Sequence, residues 1–93
     1  MIKVNYTEWG LKHSFRRHHI EKGTIQAAIS KGIRSVVEDP SNNSIIIFTT
    51  SKLAVAVDHK NNMKTAFWYR ANYYTNKMYS GKIIETNDSK FKK

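Results

Sequence analysis

From Ile33 to Tyr74 the chain alternates apolar, β-branched runs with short polar turns, and this pattern restricts its fold more than any other feature. IRSVVED (Ile33–Asp39) ends at Pro40, the chain's single proline, and Ser41–Asn43 is a turn cluster of Ser and Asn. SIIIFTT (Ser44–Thr50) is a continuous apolar strand with the character of a central one, and Ser51–Lys52 turns the chain. LAVAVDH (Leu53–His59) follows, Lys60–Asn62 turns again, and MKTAFWYRANYY (Met63–Tyr74) reads as the last clear strand. Strands joined by turns this short pair as an antiparallel meander, because parallel neighbours need a long crossover.

The first third reads as helical. Trp9 to about Lys22 has good helix formers and no β-branched run. Gly23 has the character of a residue just past a helix end, and Thr24 of a cap opening a second helix. In that second helix Ile25, Ala28 and Ile29 make one apolar stripe, and Gly32 ends it. A short edge strand is expected around Lys82 to Glu85, followed by a mobile Lys-rich tail over about 86–93. The expected class is α+β: two N-terminal helices packed on a roughly four-stranded antiparallel sheet, in one domain over 1–93. Alternation along the last strand puts Phe67, Tyr69, Ala71 and Tyr73 on one face and Trp68, Arg70, Asn72 and Tyr74 on the other. One face meets the helices, and the other is left open with Arg70 among aromatic rings.

Charge narrows the function. Sixteen Lys and Arg against seven Asp and Glu give a net +9, which points to a polyanion: nucleic acid, an anionic membrane surface or an acidic protein partner. No apolar run approaches the roughly 20 residues of a membrane span, and MIKVNYTEWG has no signal-peptide pattern. The absence of cysteine excludes disulfides, thiolate metal sites and cysteine nucleophiles.

The stretch KHSFRRHHIEKGT (Lys12–Thr24) holds three histidines and four basic residues in thirteen positions. At about 100° per residue, Leu11, Phe15 and His18 share a stripe expected to face the sheet, with His19 at its border. His13, Arg17 and Ile20 lie on the opposite side, with Arg16 near them. Two readings stand side by side. In one, His18 is a half-buried core histidine and the rest is a solvated basic face. In the other, a His and an Arg from this helix face a phosphodiester.

RNA carries its own nucleophile, the 2′-hydroxyl. Cutting it takes a base for that hydroxyl, an acid for the leaving 5′-oxygen and cations for the charged phosphorane. Histidine is the side chain that exchanges protons near neutral pH. A chain rich in His, Arg, Lys and Tyr and poor in carboxylates suits such metal-free cleavage better than two-metal hydrolysis, which wants clustered Asp and Glu. No cofactor is implied. His13 and His18 are five apart and His18 and His19 adjacent, so no pair has the i, i+4 spacing of a helical metal site. In FWYRANYY, exposed rings such as Trp68, Tyr73 and Tyr74 can stack on unpaired bases while Arg70 meets phosphate, although Phe67 and Tyr69 are expected in the core. Lys12, Arg16, His19, Lys60 at a hairpin tip and Lys77 complete the candidate RNA contacts. The alternative is a non-enzymatic nucleic-acid-binding module of helix-turn-helix type over residues 9–31. Its second helix, TIQAAISKG, offers only Gln26, Ser30 and Lys31 to a groove, and the basic residues sit on the first helix.

The run His13-Ser14-Phe15-Arg16-Arg17-His18, H-S-x-x-R-H on a helix, followed by a Gly-led second helix and a strand meander, resembles small domains of the barnase–EndoU–colicin–RelE superfamily of metal-independent ribonucleases. The likeness spans roughly Trp9 to Tyr74. It implies a site on the open sheet face and the first helix, with His13, Arg17 and His18 from the helix and Arg70 with Tyr73 or Thr75 from the last strand. It implies an RNA substrate, tRNA foremost, and a 2′,3′-cyclic phosphate product. It also implies a toxin of bacterial competition that acts in a bacterial cytoplasm after delivery, and an acidic immunity protein or antitoxin that neutralises it.

Overall fold

The computed structural model describes residues 3–92. The chain runs α1 (Glu8–His18), α2 (Lys22–Lys31), β1 (Ile33–Asp39), β2 (Ser44–Thr49), β3 (Leu53–Val57), β4 (Met63–Trp68), α3 (Ala71–Ser80) and β5 (Lys82–Thr86). The sheet order is β4-β3-β2-β1-β5, and every pairing is antiparallel. The fold is α+β as expected, and the meander from β1 to β4 is as the turns predicted. The sheet has five strands rather than four, because the Lys82–Thr86 segment pairs with the outer edge of β1.

The largest departure from expectation is the last strand. It stops at Trp68, and Ala71–Ser80 is a helix. Aromatic residues favour strands only as far as they fit a half-buried pleated surface. Here Tyr74 and Met78, four apart on α3, bury against Val37, Ile46 and Phe48, so tertiary contact overrides local preference. Alternation beyond Trp68 therefore does not sort Ala71 to Tyr74 onto two sheet faces. The face expected to be open is partly covered, since α3 crosses it on the way from β4 to β5.

Successive residues of the central strands point to opposite faces. Val36, Ile47 and Val55 join Ile20, Ile25 and Ala28 beneath α1 and α2. Val37, Ile46 and Ala54 join Tyr69, Tyr74 and Met78 beneath α3. Burial on both sides explains the unbroken apolar runs of β2 and β3.

α1 is shorter than expected and differently turned. It ends at His18, not Lys22, because His19 takes a left-handed conformation (φ 56°, ψ 36°) that turns the chain and buries Ile20 to 1% exposure. Glu21, not Thr24, precedes α2, and Gly23 lies inside its first turn. Of the expected inner stripe only Leu11 packs on the core; Phe15 is 51% exposed and His18 is exposed, and the buried positions are Gly10 and Ser14. These are small residues because α1 lies against the outer edge of β4. A Cβ on Gly10 would stand 2.5 Å from the Met63 carbonyl oxygen. Ser14 Oγ accepts from Ala66 N–H at 2.8 Å, and Thr7 Oγ1 donates to the Met63 carbonyl at 2.8 Å while capping α1 through Gly10 N–H at 2.9 Å. The helix thus satisfies the free backbone groups of an edge strand.

β3 ends at Val57, short of His59, because the Asp58 carboxylate accepts from Lys60 N–H (2.8 Å) and Asn62 N–H (2.9 Å) and closes the turn. The segment after β5, expected to be a mobile tail, touches the fold at a few points. Asn87 N–H donates to the Arg34 carbonyl at 2.8 Å, and the Phe91 ring packs on Tyr74 and Tyr79. Lys93, the last residue of the expected tail, lies outside the described residues.

Candidate functional site

α3 covers the β1 side of its face and leaves the β4 side uncovered. There Phe67 and Tyr73 stand edge to face, their centroids 5.4 Å apart and their planes at 85°. The pair is the shared wall of two hollows. One, of about 410 Å³, runs over Trp68, Arg70, Asn72 and Asn76; the other, of about 290 Å³, over Asn42, Ser44, Lys64 and Thr65. Together they make one groove with an aromatic middle and a cation toward either end.

The groove follows from the β4–α3 junction. Tyr69 turns beneath the sheet face and donates to the Thr49 carbonyl at 2.6 Å, which anchors the chain as it leaves the strand. Arg70 then takes an extended conformation (φ −103°, ψ 161°) and precedes α3 without capping it through its side chain. Trp68, 55% exposed, stands beside it. On the other side of Phe67 lies His18, its ring centroid 6.3 Å from that of Phe67. α1 runs along β4, so the end of this helix falls beside Phe67.

Thr65 Oγ1 is the buried side-chain polar atom without a hydrogen-bond partner among the described residues, and it belongs to the second hollow. A buried hydroxyl normally finds a partner. Burial pushes the Tyr73 phenol up, outweighing Lys77, whose ammonium lies 5.5 Å from the ring. The phenol is therefore neutral and able to donate. Lys77 pairs with Asp39 at 2.8 Å. Burial opposes the Asp39 charge, yet hydrogen bonds from Lys77, Ser41 and Asn42 hold its carboxyl down at about 2. The Asp39 hydrogen bond in turn raises Lys77, which stays charged.

The structure brings together four of the expected residues, His18, Trp68, Arg70 and Tyr73, around Phe67. It separates the others. His13 stacks on Trp9 (5.1 Å, 16° between planes) in a different hollow with Lys12, Arg16 and Arg17. Five residues of helix turn His13 about 140° away from His18, so the two do not flank one cleft, and Arg17 goes with His13. Lys12 is also paired with Glu8 at 3.0 Å. Tyr74, expected exposed, is 1% exposed with its hydroxyl bonded to Ser35 and Asp88, and it is a core residue. Thr75 spends its hydroxyl on the Ala71 carbonyl one turn back (3.0 Å). Lys77 reaches Tyr73 but is neutralised by Asp39. His19 is exposed at the end of α1 with its ring against Phe15, and Lys60 stands in the exposed β3–β4 turn; neither lines the groove. Phe67 was expected only in the core, and Asn72, Asn76, Lys64 and Thr65 were not singled out. Asn72 and Asn76 share a face at i, i+4, a signal that exists only once residues 71–80 are read as helix.

Among the described residues no three of His, Asp and Glu converge as a metal-binding group, and no helix is long and apolar enough to cross a membrane. Comparison with protein-family models, with curated proteins and with solved structures finds no match for this chain.

Proposed function

We propose that the Phe67–Tyr73 groove binds single-stranded RNA and cleaves it without a metal ion, by attack of the 2′-hydroxyl to a 2′,3′-cyclic phosphate and a 5′-hydroxyl. The observation that carries this reading is that His18 and Arg70, distant in sequence, both come to Phe67: His18 stands against its ring, and Arg70 lines the hollow that Phe67 shares with Tyr73. Bases stack on such rings whatever their identity. Arg70, beside the N-terminus of α3, offers charge to a phosphate and to the phosphorane. His18, the imidazole beside Phe67, takes the role of proton-transfer residue. Tyr73 donates a hydrogen bond to a phosphate oxygen, and Asn72 and Asn76 meet base edges.

The superfamily likeness of the H-S-x-x-R-H helix supports tRNA as the first substrate to try. It also supports a toxin role in a bacterial cytoplasm, with an acidic immunity protein or antitoxin as partner. A net charge of +9 favours such a partner over the basic surface.

The test is incubation of the purified chain with total tRNA in excess EDTA. Cleavage with cyclic-phosphate ends is expected. His18→Ala should lower the rate by about 10²–10⁴-fold without unfolding the chain, whereas His13→Ala should leave most of it. Intact tRNA at every protein concentration would sink the nuclease reading. Salt-dependent retention of duplex DNA with no strand loss would favour the non-enzymatic module instead.

A further inference from the structure

A second polar cluster lies on the same sheet face, between α3 and the segment that follows β5. The Arg34 guanidinium stands over the Tyr74 ring, its Cζ 3.8 Å from the centroid. Both groups converge on one carboxylate oxygen: Arg34 Nη2 is 3.4 Å from Asp88 Oδ2, and the Tyr74 hydroxyl donates to that atom at 2.9 Å. Since the single Tyr74 hydroxyl hydrogen goes to the carboxylate, the bond between Ser35 Oγ and Tyr74 Oη (2.8 Å) has Ser35 as donor. The bond between Ser35 and Thr86 (2.7 Å) then has Thr86 as donor. Three hydroxyls and a guanidinium are thus polarised toward one anion.

That anion comes from a lightly held segment. After Asn87 the chain has no strand partner. Its anchors are the Asp88 carboxylate and the Phe91 ring, while Ser89, Lys90 and Lys92 are exposed. Burial opposes the Asp88 charge, but hydrogen bonds from Tyr74 and Lys90 N–H, with Arg34, keep its carboxyl below the usual range. The donors are of the kind that hold phosphoryl oxygens: a planar guanidinium seated over a ring, with hydroxyl donors beside it. A tetrahedral phosphate offers them more acceptor atoms than a carboxylate does.

We propose that Arg34, Tyr74 and the Ser35–Thr86 hydroxyl relay form a phosphate-binding site, which the Asp88 carboxylate occupies in the free chain and a phosphoryl group fills when the Asn87–Lys92 strap lifts. The site is separate from the Phe67–Tyr73 groove and does not depend on the nuclease reading.

Inorganic phosphate and a nucleoside 3′-monophosphate are titrated into the parent chain and into Asp88→Ala at constant ionic strength, followed by the amide resonances of Ser35 and Thr86. Removing the competing carboxylate should tighten binding by about tenfold or more, and adding Arg34→Gln to Asp88→Ala should abolish the gain. Equal gains for the two ligands identify the phosphoryl group alone as what is recognised; a larger gain for the nucleotide identifies a nucleotide's terminal phosphate. No gain with either, or a gain that survives Arg34→Gln, overturns the proposal. Should Asp88→Ala fail to fold, the parent decides. Tryptic cleavage after Lys90 faster in phosphate than in chloride of equal ionic strength supports the strap, and equal rates overturn it.

Discussion

The two faces of the sheet are built from different material. Under α1 and α2 the filling is aliphatic: Ile20, Ile25, Ala28, Ile47, Val55 and Val57 with Met63. Under α3 it is aromatic and hydroxylated: Phe48 meets Tyr69 and Tyr74 edge to face, each at 4.9 Å, and the tyrosine hydroxyls reach Thr49, Ser35 and Asp88. Aliphatic side chains pack without directional demands, so two helices close that face. Rings with hydroxyls need partners at set positions, and one short helix spanning from β4 to β5 leaves Phe67 and Tyr73 half covered. On the function proposed above, the first face chiefly supplies stability and the second recognition.

The largest test of that division is Ile47→Ala, which empties space under α2. It should cost about 2–5 kcal/mol of stability, measured by urea denaturation, while RNA affinity per folded molecule stays unchanged. A loss of affinity in the folded fraction would mean the faces are coupled. Phe67→Ala is the mirror experiment. Loss of a stacking ring should weaken single-strand binding by about 1–3 kcal/mol, read by fluorescence titration, with a smaller effect on the unfolding midpoint. A larger effect on stability than on binding would return Phe67 to the core.

Asp39 tests the rim of the α3 face through pH. Its folded carboxyl is held down at about 2, below the 3.8 of a free aspartate side chain. The stabilisation is therefore fully present above pH ~4 and is lost as pH falls toward about 2. Asp39→Asn should cost about 2 kcal/mol at pH 7 and almost nothing at pH 2, seen by thermal unfolding across pH. A cost independent of pH would show that the carboxylate charge is not what Lys77 holds. The smallest expected effect is His13→Ala on tRNA cleavage, within about threefold, since His13 faces Trp9 rather than the groove. A loss matching that of His18→Ala would bring the two hollows into one site.

The basic character of the first helix was legible, but not how its residues divide between the sheet and solvent. Gly10 and Ser14 turn inward because the backbone of α1 approaches the β4 edge, and nothing local to the helix announces that approach. It carries Phe15 outward and sets His18 beside Phe67. Residues 71–80 depart from the strand expectation for a related reason: YRANYY suits a strand by composition, and only the apolar floor of Val37, Ile46 and Phe48 makes Tyr74 and Met78 helical partners. The contacts of the Lys-rich tail were not legible either, because Asp88 and Phe91 have meaning only against Arg34, Tyr74 and Tyr79.

By itself the sequence determined the strands from β1 to β4, their antiparallel pairing, the two N-terminal helices, the short edge strand and the cationic character. Period-two burial, turn residues and net charge are local or additive properties. The tertiary structure alone decided which face of α1 meets the sheet, that β5 extends it beyond β1, and that α3 divides the other face into a core and a groove. Those choices depend on surfaces brought together from distant parts of the chain, where the shape of one element sets what the next can bury.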